Sequence, residues 1–218
     1  MKIEYKRRDL LRWVMLVPGL LGPAWAARAA SLLATPPITE GPFYPKRLPL
    51  DDDNDLTRVK GAGGVAKGEI LDLTGRVVDS SGRPLRGAQV EIWQCNAYGR
   101  YHHPDDNSAA PIDPNFQGHG MTIADSEGRY RFRTIKPVPY PGRTPHIHFK
   151  LTGRDFNSLT TQMFVAGEPQ NERDFLYRSI RDERVRKAMA VQLRPAESSS
   201  GATLAADFEI VLGQVKEA

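Results

Sequence analysis

The stretch EILDLTGRVVDSSGRPLRGAQVEIWQ, residues 69–94, decides the fold. Apolar and polar residues alternate through EILDLTGRVVD (69–79). A period of two places one set of side chains on one face of a strand. SSGRPLRG (80–87) then has the composition of a turn. AQVEIWQ (88–94) resumes the alternation at Val90, Ile92 and Gln94.

The same pattern continues outward. MTIADSEGRYRFRTI (121–135) reads as a strand, a DSEG turn and a strand. HIHFKLTG (146–153), TTQMFVAG (160–167) and LAADFEIVLG (204–213) each read as one strand, and residues 172–193 carry some helical character. Short strands at this spacing predict an all-β protein, an antiparallel β-sandwich with long loops and little helix. Upstream, residues 30–68 hold too much Pro and Gly for regular structure. The acidic run DDDND (51–55) within them lacks the spacing and central Gly of a calcium loop and reads as a solvated loop. The expected organisation is an export signal over 1–29, an irregular arm over 30–68 and a β-sandwich catalytic domain over 69–218.

The formal charge of +4 belongs to the first segment. Residues 1–29 hold six of the 30 Lys and Arg and two of the 26 Asp and Glu, so the remainder carries 24 of each. A neutral remainder gives no electrostatic case for nucleic acid. Arg7 and Arg8 precede a short apolar run, and A-x-A sites lie at Ala24–Ala26 and Ala27–Ala29. This resembles a twin-arginine export signal, which implies a periplasmic or secreted protein. The run is too short and too rich in Pro and Gly for a spanning helix. Cys95 is the single cysteine, so no intrachain disulfide forms, and it reads as a small buried thiol.

The chemistry centres on RTPHIHF (143–149). His146 and His148 stand two apart on a strand and project to one face. Such a pair is either two hydrogen-bonded histidines or part of a metal site, and a metal needs further ligands. Tyrosines stand out nearby: Tyr98, Tyr101, Tyr130 and Tyr140. A tyrosinate is a hard anionic ligand that suits Fe(III). Tyr130, alternating with Phe132, reads as core, and so does Trp93. Tyr98 reads as pocket wall or surface. His102, His103 and His119 read as loop residues, solvated or lining a pocket.

Four motifs then bear on identity: W-Q-x-N-A-x-G-x-Y at 93–101, D-P-N-F at 113–116, F-R-T-I-K-P-x-x-Y-P at 132–141, and the H-I-H strand. Together they resemble the intradiol ring-cleavage dioxygenases, nearest to the protocatechuate 3,4-dioxygenase type. The likeness runs from TPPITEGPFYP, at about residue 36, to DFEIVLG, at about 213. The resemblance implies a non-haem Fe(III) held by Tyr101, Tyr140, His146 and His148. It implies catalytic roles for Tyr140, as the ligand displaced by substrate, for Arg143, which stabilises charge building on the substrate, and for Gln162, which orients Arg143. Tyr44, in GPFYP, falls loosely on the substrate pocket, with Arg143 as a second substrate-binding residue. The implied partners are a catechol-type substrate and O2. The implied reaction cleaves the ring between its two hydroxylated carbons to a cis,cis-muconate-type diacid.

This sequence departs from the family between Tyr140 and His146. Only PGRTP (141–145) lies there, with Gly142 where a bulky aromatic is common, so a more open pocket is expected. The arm has no room for the long helical dimerisation region of catechol-specific enzymes. No second subunit is evident, and a homo-oligomer or a monomer stays open. Two other readings are an exported, metal-free binding module of the transthyretin-like kind and an inactive binder of iron or a catechol.

Overall fold

The computed structural model describes residues 31–48, 51–197, 201–213 and 215. The expected export signal, residues 1–29, lies outside them.

Two five-stranded sheets pack face to face. The first is built on β1 (Ile70–Asp79). The second has the order β3-β2-β5-β6-β7, from β2 (Gln89–Trp93), β3 (His119–Ile123), β5 (His146–Thr152), β6 (Leu159–Val165) and β7 (Ala190–Val191). Leu71 and Leu73 of β1, Val90 and Ile92 of β2, and Ile147, Phe149 and Leu151 of β5 are fully buried in one core. The predicted sandwich is thus the observed fold. Among the described residues, helix is confined to a 3-10 turn (Pro169–Arg173), α1 (Phe175–Ser179) and α2 (Glu183–Met189).

Two expectations need correction. The sheets are mixed, not purely antiparallel. β4 (Arg129–Ile135) pairs antiparallel with β1, but β9 (Leu204–Asp207) and β10 (Ile210–Leu212) pair parallel with it, and β7 runs parallel to β6. β8 (Arg194–Pro195) pairs antiparallel with β9. The late strands reach their neighbours by long connections, so no tight hairpin ties their direction. LAADFEIVLG, expected as one strand, is broken at Phe208–Glu209 into β9 and β10. The break follows from Tyr130, whose hydroxyl donates to the Phe208 carbonyl beneath Gly75. A Cβ at Gly75 would collide with both groups, so the glycine is required inside this strand.

The arm is irregular as expected, yet it belongs to the same body. Ile38, Leu56 and Ala66 join the main core. The Ile38 N–H donates to the Thr160 carbonyl on β6, and Lys150 of β5 bonds Glu40 at 2.9 Å. The arm therefore roofs the outer face of the second sheet. That roof buries two β5 side chains that alternation would otherwise leave in water, His146 and His148, each 2% exposed.

Candidate active site

Strand register assembles one side of the site. Trp93 of β2 lies opposite His148 of β5, and His148 lies opposite Gln162 of β6. Trp93 also lies opposite His119 on β3. One row across the sheet thus reads His119, Trp93, His148, Gln162. The Trp93 and His148 rings stack at 4.6 Å and 11°, which fixes the imidazole plane. Gly41 of the arm passes against the same ring, and its φ of +74° is what favours glycine there.

Tyr101 is delivered by the turn after β2. The Asn96 side-chain oxygen accepts from the Tyr98 and Arg100 N–H groups at 2.9 and 3.1 Å, and its amide donates to the Pro111 carbonyl at 2.9 Å. Gly99 has φ of +79°, and a Cβ there would press the Pro139 carbonyl. The Asn and Gly of the W-Q-x-N-A-x-G-x-Y motif are thus the turn itself. Asp106 then accepts the Tyr101 N–H at 2.7 Å. Gln94 of the same motif bonds Thr134 and the Ile135 carbonyl, tying this turn to the end of β4 from which Tyr140 departs.

Tyr140 and Arg143 face each other across the tight turn YPGR, closed by Arg143 N–H to Tyr140 C=O at 2.9 Å. Pro141 presets the first corner, and Gly142, at φ +83°, supplies the left-handed second. Arg143 is held from three sides. Its Nε donates to Asp174 Oδ2 at 2.8 Å, one Nη donates to Gln162 Oε1 at 2.6 Å, and the other lies 3.4 Å from the Tyr140 hydroxyl.

These segments bring Tyr101, Tyr140, His146 and His148 together. Ring centroids are 5.4 Å apart for Tyr101–Tyr140, 5.5 Å for Tyr140–His146, 4.8 Å for His146–His148 and 6.2 Å for Tyr101–His148. His146 Nδ1–H donates to the Thr144 carbonyl at 2.6 Å, which turns the Nε2 lone pair inward, 3.2 Å from His148 Nε2. The Tyr101 hydroxyl is buried without a hydrogen-bond partner. A buried polar group normally has one.

Electrostatics mark the same point. Burial pushes His146 down to about 4, helped by the Arg143 charge. Burial and the neighbouring His146 push His148 well below its ordinary range. Both imidazoles are neutral at pH 7. Burial and the adjacent Tyr140 hold the Tyr101 phenol well above its ordinary range, and burial raises Tyr140 too. Two neutral nitrogens and two phenols, one of them without a hydrogen-bond partner, form a donor set that a hard trivalent metal would satisfy. Among the described residues no cluster of three or more His, Cys, Asp or Glu could hold an ion. A metal here would have to use the phenols.

Other expected residues fall as follows. Tyr44 does not line the cavity beside Tyr140; its hydroxyl donates to Glu91 Oε2 at 2.8 Å and its ring meets the Trp93 edge at 5.0 Å. The buried Glu91 carboxylate takes the Tyr44 proton, while the Tyr44 ring packs against the Trp93, Cys95 and Tyr101 cluster. The reading of His119 as a loop residue is corrected: it opens β3, is buried, and faces Glu91 at 3.3 Å. His102 and His103 stay in a loop, Tyr98 is exposed, Tyr130 and Trp93 are buried, and Cys95 is a buried thiol pushed up by burial to about 12. Sequence reasoning missed Asp174. It is buried, anchors Arg143, accepts the Thr144 N–H at 3.0 Å, and caps α1 through the Leu176 and Tyr177 N–H groups. Burial alone would raise its carboxyl, but those hydrogen bonds and the Arg143 charge hold it below the ordinary range. Its sequence signal, an Asp ahead of a short helical run, marks a cap and says nothing of Arg143.

Two tyrosines, two histidines and an anchored arginine thus gather at the outer face of the second sheet. A family profile described as Dioxygenase matches residues 39–214. The beta chain of protocatechuate 3,4-dioxygenase from Burkholderia cepacia is 43% identical over 168 residues, 73% of this chain and 71% of that one. Catechol 1,2-dioxygenase 2 from Acinetobacter lwoffii is 32% identical over 187 residues, 74% of this chain but 65% of that one, so the chain spans under two thirds of that relative. Among solved structures, the dioxygenase domain of a dioxygenase carbohydrate-binding protein fusion from Streptomyces sp. SirexAA-E matches with a TM-score of 0.60 at 29% identity, over 83% of this chain and 98% of that chain. The chain belongs to the intradiol ring-cleavage dioxygenases, a family of oxidoreductases.

Proposed function

We propose that this protein is a non-haem Fe(III) dioxygenase that cleaves a catechol-type ring between its two hydroxylated carbons with O2, yielding a cis,cis-muconate-type diacid. Tyr101, Tyr140, His146 and His148 would hold the metal. The observation that carries the reading is the buried Tyr101 hydroxyl, unpartnered, beside two neutral imidazoles. Left without a cation, that arrangement costs stability and gains nothing.

Fe(III), when bound, would supply a Lewis acid that activates a catechol ring toward O2. The chain's own groups do the rest. Trp93, stacked on His148, and Thr144, bonded to His146 Nδ1, hold the two imidazoles in place. Tyr140 is only partly buried, and as a metal-bound phenolate its oxygen would accept a proton from the substrate. Arg143 is a fixed cation 3.4 Å from that oxygen and stabilises negative charge building on the substrate. Gln162 and Asp174 keep it there. Residues 1–29 act as an export signal and send the enzyme to the periplasm or beyond; the support is the Arg7–Arg8 pair with its short apolar run.

The test is the visible spectrum of the iron-loaded protein, before and after anaerobic addition of catechol. Phenolate-to-Fe(III) charge transfer gives a visible band that moves to longer wavelength as catechol binds, and admitting O2 then yields the diacid. A protein that stays colourless after iron loading refutes the reading and favours the metal-free binding module.

A further inference from the structure

Thr144 stands between Arg143 and the first histidine of RTPHIH and is buried, 1% exposed. Every polar group it owns is committed. Its N–H donates to Asp174 Oδ2 at 3.0 Å, its hydroxyl donates to Asn171 Oδ1 at 2.7 Å, and its carbonyl accepts the His146 Nδ1 proton at 2.6 Å. The third bond decides what His146 offers. A carbonyl has no proton to give, so Nδ1 carries one and Nε2 is left with the lone pair. Nε2 is the atom that faces His148 Nε2.

The position of that carbonyl is set from a distance. Pro145 fixes its own φ and disfavours helical backbone at Thr144, but it does not anchor the peptide to the sheet. Asn171 does. It lies on the 3-10 turn Pro169–Arg173 and is buried. Its amide is used from both ends: Oδ1 accepts from the Thr144 hydroxyl, and Nδ2 donates to the Val165 carbonyl, the end of β6, at 2.8 Å. The residue before Val165, Phe164, lies opposite His146 in the β5–β6 ladder. The contacts close on themselves: His146 to Thr144, Thr144 to Asn171, Asn171 to Val165, and back across the ladder. A carboxylate here would have the acceptor without the donor, and an aliphatic side chain would have neither.

We propose that Asn171 is a positioning residue for the metal centre: through the Thr144 hydroxyl it fixes the carbonyl that takes the His146 Nδ1 proton, and so presents Nε2 to the metal. The inference rests on the reading of His146 as a ligand given above. Groups that orient a metal-binding imidazole in this way are worth about 10–100-fold in metal affinity.

The experiment uses Asn171→Ala, Thr144→Val, the double variant and Thr144→Ser, with two measurements on each. Competition with a chelator gives the Fe(III) affinity, and NMR of the iron-free protein with labelled histidine gives the exchange rate of the His146 Nδ1 proton. Asn171→Ala and Thr144→Val each weaken Fe(III) binding about tenfold. The double variant also loses about tenfold, because both changes remove one and the same bond. Thr144→Ser keeps the hydroxyl and the wild-type affinity. The Nδ1 proton, buried and bonded in the wild type, exchanges about tenfold faster in Asn171→Ala and Thr144→Val. Losses that multiply in the double variant overturn the assignment. So do wild-type affinity and exchange in the single variants, even with a lower urea midpoint, since that is the result of a bond that only stabilises the fold. If Asn171→Ala does not fold, Thr144→Val against Thr144→Ser decides by the same criteria. A wild type that takes up no iron overturns the dioxygenase reading, and the Nδ1 proton then decides the positioning by itself: equal exchange in wild type and Thr144→Val overturns it.

Discussion

Asp174→Asn tests how the site is held together. The carboxylate has two oxygens and two duties. Oδ1 caps α1, accepting from Leu176 and Tyr177 at 3.0 and 2.9 Å. Oδ2 accepts from Arg143 Nε at 2.8 Å and from Thr144 N–H at 3.0 Å. An amide has one oxygen, so the variant keeps the cap and turns an NH2 toward two donors, or keeps the donors and loses the cap. The Arg143 and Asp174 side chains are 9% and 0% exposed, so the guanidinium left behind is a buried charge without its counter-ion. Breaking such a pair costs about 3–5 kcal/mol. The surviving bond to Gln162 argues for the lower end, about 3 kcal/mol, or a melting temperature lower by roughly 6–12 °C. Arg143 also loses its anchor next to the Tyr140 hydroxyl, so kcat/KM on a catechol falls by about a hundredfold, of the size seen when one stabilising donor is lost. Urea unfolding of the iron-free protein gives the first quantity, and steady-state turnover of the iron-loaded protein gives the second. A variant within about 1 kcal/mol of wild type that keeps wild-type turnover would refute the claim that Asp174 positions Arg143.

Other consequences follow from the same geometry. Tyr101→Phe removes an unpartnered buried hydroxyl; the iron-free variant is more stable by about 1 kcal/mol in urea, while the visible band of the iron-loaded form is lost or displaced. A less stable iron-free variant would count against the orphan hydroxyl. Acid unfolds the iron-free protein early. His146 titrates near 4 in the fold against 6.5 when free, so the unfolded chain gains a proton that the folded chain refuses. Stability is full above pH 6.5 and drops by about 3 kcal/mol on the way to pH 4 through this group. The depressed carboxylates, Glu91 and Asp174, act in the same direction only at lower pH, so a urea midpoint that stays flat from pH 7 to 5 contradicts the account. Gly75→Ala forces a methyl against the Phe208 carbonyl and Tyr130 hydroxyl; thermal melting should show a loss of about 3 kcal/mol or more, and a neutral result would mean that the β9–β10 break is not held by that contact.

How much of this was legible beforehand follows from the physics of each signal. Local patterns carry local structure. Alternation predicted β1, β2, β4, β5 and β6 to within a few residues, because a buried strand face needs it. The turn chemistry of Asn96 and Gly99 was present as a motif, though its purpose, to swing Tyr101 toward the rings of β5, was not. Arg143, Gln162, the two tyrosines Tyr101 and Tyr140 and the two histidines His146 and His148 were nominated by resemblance, and the structure brings these residues within reach of one another.

What the sequence by itself determined is the two-sheet architecture and the residue types that the chemistry would need. Period, turn residues and motif spacing are properties of neighbours along the chain. Tertiary structure alone decided that the irregular arm roofs the second sheet and turns an exposed strand face into a dry pocket. It alone decided that Asp174, some thirty residues from Arg143, neutralises it, and that Tyr44 spends its proton on Glu91. Burial and charge balance are sums over groups distant in sequence, and no local pattern encodes such a sum.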